Sequence, residues 1–385
     1  MKMISFELKK YVLKPSVLAF VLLFIFINLV KFFEIYYYFG GGRSAVAGYN
    51  SLTEGYNKIY SIYGGEITRE KINGINGEYA EAQKKLNERG AGDTVYDDCY
   101  TGYPYGDVEL FKNNIIPGYE YAIFYSEGAE KISKAAEENI EFYSGINAYE
   151  ARKNSLISEI FKGRYVGYYV SSDGWTTLFD YKFSTILVML LIILTFSPVF
   201  SGERADGFDK LIISSGKRRT SVRAKLLTSG IFSFSATLMF FLCDILYVSV
   251  FHGLSCFNAP VYAISDYADC PFTITLLSAM LLSFAGRLIS MLFFSSLTCF
   301  VSSFGKNTAM SLFLSIAAGA GLIVLSDVIP DSLDLLGLAY SSHFLEKFSV
   351  ENIFGIPVFT AVIAAVFTVL VTTALNIVTV RRALR

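Results

Sequence analysis

The sequence predicts a mainly α-helical, polytopic membrane protein with six transmembrane helices and a large extracellular insertion between helices 1 and 2. Three observations carry that reading. Of the 385 residues 53% are hydrophobic, and mean hydropathy is +0.44, above the composition of soluble domains. Six apolar runs approach the ~20 residues that a bilayer crossing requires. The Lys and Arg residues between those runs are distributed unequally, as membrane topology demands. Charged residues make up only 17% and sit in blocks, so the net charge of −1 averages a charged insertion against nearly charge-free spans. It carries no information about partners, and no nucleic-acid partner is expected.

The first region, 1–42, is a cytoplasmic N-terminus followed by transmembrane helix 1. Lys2, Lys9, Lys10 and Lys14 make a basic lead-in, and Pro15 suits a first helical turn, where its missing N–H costs nothing. The first span covers about 16–36. Its outer end, KFFEIYYYF, is an aromatic interface belt with Lys31 and Glu34 one helical turn apart. The run lacks a small-residue cleavage site, so it reads as a span and not as a signal peptide. Gly40 to Gly42 end it.

Residues 43–178 form the insertion, which contains no apolar run long enough to cross a membrane. Residues 66–89 read as a mixed-charge helix interrupted at Gly74 and Gly77. Residues 90–118, rich in Gly, Asp, Tyr and Pro, read as loop. A second helical stretch over 123–164 carries Ile132, Ala135, Ala136 and Ile140 on one stripe. Adjacent carboxylates such as Asp97-Asp98 and Glu137-Glu138 have no His or Ser partner pattern, which argues for a solvated face over acid–base chemistry.

The third region, 179–385, holds transmembrane helices 2–6, with spans at about 181–200, 226–250, 273–301, 309–325 and 358–380. Trp175, Phe179 and Tyr181 mark the outer interface before span two. Residues 326–357 read as an external loop with room for a short interfacial helix. Segments 1–14, 201–225, 302–308 and 381–385 carry 4, 7, 1 and 3 basic residues, whereas 251–271 and 326–357 carry 0 and 1. The positive-inside rule then places both termini in the cytoplasm, and long insertions translocate largely regardless of their own charge.

Metal and cofactor sites find no support. Two histidines, His252 and His343, and five cysteines without C-x-x-C spacing leave no ligand set. Cys256 and Cys270 share one outer loop and can pair in an oxidising compartment; two free thiols are the alternative. The turn SSFGKNT, 302–308, is not a phosphate loop, because the upstream glycine is missing and Asn follows the Lys.

The stretch 201–225, SGERADGFDKLIISSGKRRTSVRAK, is the most informative. Phe208, Leu211, Ile212 and Ser215 fall at helical spacing on one face, Gly216 is placed to stop that short helix, and Thr220 or Ser221 to cap the next. A basic loop of this kind can simply fix topology. Its residue order, with Glu203 directly after a span, then Gly207, Phe208, the pair Leu211-Ile212, Arg218 and Arg219, resembles the loop after the second span in ABC-2 type transporter permeases. The resemblance extends to the topology of the whole chain. It implies a coupling loop, 201–225, against a separate ABC ATP-binding subunit that holds the ATP, and a homodimer or heterodimer of permeases in the cell membrane. The chain itself would then be no enzyme and hold no cofactor. The alternative class is an ATP-independent carrier, sensor or interaction protein acting through the extracellular domain. Finally, Asp244 and Arg287 lie in spans three and four at similar depth. An unpaired Arg at mid-bilayer costs about 2.5–3.5 kcal/mol on insertion scales, so an intramembrane pair is expected. The alternative is that Arg287 lines the transport path or the dimer seam and that Asp244 snorkels to the outer surface.

Overall fold

The computed structural model describes residues 2–35, 49–89, 100–102, 104–208 and 217–384. Helix α1 (Lys2–Glu7) runs through a wide π-type turn at Leu8–Val12 and leads to α2 (Pro15–Ile35). The insertion contributes α3 (Tyr49–Tyr63), α4 (Arg69–Arg89), α5 (Pro104–Leu110), α6 (Ile116–Tyr143) and α7 (Ala148–Phe161). A two-residue strand β1 (Gly65–Glu66) pairs antiparallel with β2 (Tyr168–Tyr169) and closes the insertion at its base. The chain continues with α8 (Ser172–Asp180), α9 (Phe183–Phe196), α10 (Pro198–Ala205), α11 (Arg218–Phe251), α12 (Leu276–Phe304) and α13 (Thr308–Ser326). It ends with one turn α14 (Ser342–Leu345), a hairpin of β3 (Val350–Ile353) and β4 (Ile356–Phe359), and α15 (Thr360–Ala383).

Six of these stretches are long and apolar enough to cross a membrane: α2, the α8–α10 unit over Ser172–Ala205, α11, α12, α13 and α15. By length and composition the chain is a multi-pass membrane protein. The α8–α10 unit is its axis: its most apolar window is 72% buried, against 17%, 17% and 11% for α2, α13 and α15. Those three present large side chains outward, among them Leu22, Phe26, Phe313, Val324 and Leu370. Such surfaces suit hydrocarbon, not water.

The second span is longer than 181–200 and is broken twice. Tyr181 is extended after α8, and α9 gives way to α10 at Ser197-Pro198, where proline has no N–H to donate. Each break is buried in protein, the condition under which irregular backbone is tolerated at membrane depth. At the second break, the Ser302 hydroxyl accepts from the Phe200 and Ser201 amides at 3.0 and 3.3 Å, satisfying first-turn donors of α10. Trp175 is fully buried in protein, and its indole N–H donates to the Ser255 carbonyl at 3.0 Å.

Several local expectations are corrected. Helix α4 runs unbroken through Gly74 and Gly77, because Ile75 and Ala82 pack into the insertion's own core with Ile59, Tyr63, Leu110 and Phe111. That burial outweighs about 1 kcal/mol per glycine. Part of the expected 90–118 loop is helical, as α5 and the turn after it. The stretch 123–164 is a helical hairpin, α6 and α7, with Asn147 capping α7 by accepting from the Tyr149 and Glu150 amides. Its buried stripe is Ala122, Tyr125, Ala129, Ser133 and Ala136; of the stripe expected from sequence only Ala136 is fully buried. The 326–357 segment folds back on α12 and ends in the β3–β4 hairpin. A Cβ on Gly286 would collide with the Leu338 carbonyl oxygen, so glycine there permits the close approach.

Tyrosines join the insertion to the loops at that end of the bundle. Tyr121 and Tyr125 donate to the Tyr262 and Ala268 carbonyls at 2.7 and 2.9 Å, and the Tyr60 hydroxyl lies 2.7 Å from Ser255 Oγ. Arg164 and Arg152 donate to the Cys270 and Gly355 carbonyls at 3.0 and 2.9 Å. Loop carbonyls need donors, and tyrosine supplies one together with an apolar ring, which accounts for its abundance in the insertion.

Candidate functional site

At the end of the bundle opposite the insertion, the residues flanking segment 201–225 converge. Glu203, on the last turn of α10, is buried. One of its oxygens accepts from Lys10 Nζ at 2.5 Å and from the Tyr11 hydroxyl at 3.2 Å; the other pairs with the buried ammonium of Lys225 on α11. Lys225 and the Tyr11 hydroxyl each also donate to the Val199 carbonyl at 3.2 Å, an acceptor in the first turn of α10. Glu7 is buried beside this cluster, and burial holds its carboxyl above the usual carboxylate range, the neighbouring Lys225 acting against that shift. Three chain segments far apart in sequence are therefore pinned at one carboxylate. Removing Glu203 would strand two cations, one of them buried, which is strongly destabilising.

The pinned point is where the basic segment leaves the bundle. Helix α10 ends at Ala205, and Gly207 sits in the left-handed region at φ +73°, a glycine stop for α10; Gly216, expected to stop the short helix after it, lies outside the described residues. Phe208 follows, 53% exposed, with Lys10 Nζ 5.9 Å from its ring centre. Leu211 and Ile212 lie outside the described residues, so the expected ridge is represented by Phe208 alone. Helix α11 begins at Arg218, earlier than a cap at Thr220 or Ser221 would give. Arg218 donates to the Leu384 carbonyl at 3.1 Å, and Arg219 is exposed.

A second constellation lies inside the bundle. Arg287 on α12 and Asp244 on α11 are 1% and 0% exposed, and Arg287 Nη1 stands 2.7 Å from Asp244 Oδ2. The same carboxylate accepts from Ser184 Oγ at 2.5 Å and from Asn28 Nδ2 at 2.8 Å. Tyr181 donates its hydroxyl to Asn28 Oδ1 at 2.8 Å. Arg287 Nη2 reaches the Tyr181 carbonyl at 3.4 Å, an acceptor released by the break between α8 and α9. The network joins α2, the second span, α11 and α12, and it supplies a carboxylate with donors on both oxygens. Asn28 and Ser184 were not singled out from sequence, and Tyr181 only as an interface residue; Asn28 is the lone amide in the first span, which is a readable signal.

Cys256 and Cys270 are both free thiols. Cys256 faces the Tyr60 hydroxyl at 3.5 Å, while Cys270 is buried and directed at the Phe272 carbonyl at 3.7 Å. The two side chains have different partners, so the loop is held by hydrogen bonds and packing, not by a disulfide. No His/Cys/Asp/Glu group able to hold a metal ion occurs among the described residues. Comparison with family models, with curated proteins and with solved structures finds no match to this chain.

Proposed function

We propose that this chain is the membrane permease subunit of an ABC transporter, an exporter, working in the cell membrane with a separate ATP-binding subunit and a second permease. In this reading both termini and the 201–225 segment are cytoplasmic, and the insertion is extracellular. The observation that carries it is the Lys10–Glu203–Lys225 cluster, which roots the segment after α10 in three helices at once. A force applied at an exposed Phe208 by a docked partner would pass into α1, α10 and α11 without being lost in a slack loop. The order Glu203, Gly207, Phe208 and the basic residues that follow supply the likeness to ABC-2 permeases.

The test is purification of the chain from its native membrane and reconstitution, in lipid vesicles, with an ATP-hydrolysing subunit that co-purifies. Wild type should bind it and support ATP-driven transport. Phe208→Asp, which would bury an unpaired carboxylate in the joint, should weaken assembly by at least about tenfold while the permease itself still folds. A folded permease that binds no ATP-hydrolysing subunit, or a Phe208→Asp variant with full transport, defeats the reading.

A further inference from the structure

At the basic end, a cavity of about 740 Å³ opens among the ends of α10, α11, α12 and α15. That size falls within the roughly 300–1,000 Å³ of ordinary small-ligand sites. Its wall is divided by chemistry. Phe200, Val222, Phe304 and Val378 make one part apolar, and Arg204, Arg218, Arg381 and Arg382 make the other cationic. Among the described lining residues the only carboxylate is Glu203, already committed to Lys10 and Lys225. None of the four arginines has an acidic partner among the described residues.

Helix capping explains part of this arrangement. Arg204 donates to the Gly305 and Ser303 carbonyls at 2.7 and 3.0 Å, Arg382 to Ser303 at 3.3 Å, and Arg218 to the Leu384 carbonyl. Cations at helix C-termini are favourable in themselves. Capping uses one or two of the five N–H donors on each guanidinium, and it does not account for Arg381, which is exposed and bonds to no described residue. Nor does it account for an open volume kept between four like charges. Guanidinium groups bind phosphate oxygens through paired N–H donors, and basic pockets between spanning helices at a membrane surface accept acidic headgroups.

We propose that this cavity binds a phosphate ester, with the headgroup of an anionic phospholipid as its source. The phosphate would lie among Arg204, Arg218, Arg381 and Arg382, and the glycerol and first acyl carbons against Phe200, Phe304 and Val378. The bound lipid would bridge α10 to α15, so the site would make the basic end sensitive to leaflet composition.

Delipidated protein in neutral detergent tests this, with phosphatidylglycerol, phosphatidylcholine and glycerol 1-phosphate as probes. Melting temperature and native mass spectrometry are the two readouts. Phosphatidylglycerol should bind in a saturable way and raise the melting temperature, with phosphatidylcholine doing neither. Arg381→Ala, which removes no structural bond, should weaken phosphatidylglycerol binding by about tenfold, the loss of one charge-assisted contact. Lys162→Ala, in the insertion, should leave it unchanged. An Arg381-dependent response to glycerol 1-phosphate as strong as that to the lipid would support the phosphate site and assign it a soluble source. Equal binding of the two lipids, or undiminished binding by Arg381→Ala, overturns the proposal.

Discussion

Arg287 donates to Asp244 across 2.7 Å in the interior of the bundle, and both residues are sealed from solvent. The pair holds α11 against α12, while Ser184 and Asn28 complete the carboxylate's shell from the second and first spans. Breaking a buried pair from one side strands the other charge, at about 3–5 kcal/mol, whereas replacing both partners by apolar groups is often neutral. Asp244→Leu and Arg287→Met should therefore each lower melting temperature and folded yield, and the double variant should recover much of the loss. Additive losses in a double-mutant cycle would show that the two charges are energetically independent.

Glu7 provides a pH test at the basic end. Its folded carboxyl titrates above the unfolded one, so its contribution to stability is present below the usual value of 4.5 and is lost as pH rises through the higher folded value. Glu7→Gln cannot ionise. Its melting temperature should fall less than that of wild type as pH is raised from about 4.5 towards neutrality. Parallel pH profiles for the two proteins would mean that Glu7 finds a compensating partner.

The thiols make a third test. Burial pushes the Cys270 thiol up to about 11, leaving little thiolate at pH 8, and its side chain is enclosed. Native protein should be alkylated at half-buried Cys256 and spared at Cys270, with Cys270 reacting only after unfolding. Recovery of a Cys256–Cys270 disulfide by mass spectrometry from cells would contradict the free-thiol loop.

Topology can be read by labelling. A cysteine replacing exposed Glu138 in the insertion should react with an impermeant thiol reagent on intact cells, above the parent chain's background. One replacing exposed Arg219 should react only after permeabilisation. Labelling of the 219 position from outside would invert the orientation.

Much of the architecture was legible because bilayer chemistry writes itself in long apolar runs. The six spans need only hydrophobic length, and Asp244 and Arg287 were visible as charges without water. What was not legible depends on tertiary burial. Nothing local marks Lys10 as a partner of Glu203, since the contact spans 193 residues and Lys10 reads as one more inner-surface base. Trp175 reads as an interface residue, and nothing local marks the Ser255 carbonyl as the acceptor for its indole N–H. Gly74 and Gly77 look like helix breaks because propensity is weighed before packing, and Ile75 and Ala82 reverse that balance.

The joint with an ATP-binding subunit is the centre of the account, and a photoreactive residue at position 208 tests it most directly. In the assembled transporter, irradiation should produce an adduct between position 208 and the ATP-binding subunit. The same residue at position 328, where Val328 is 76% exposed at the insertion end, should give none. An assembly that hydrolyses ATP yet yields no adduct from position 208, or yields one from position 328 instead, would contradict the coupling role given to the segment after α10.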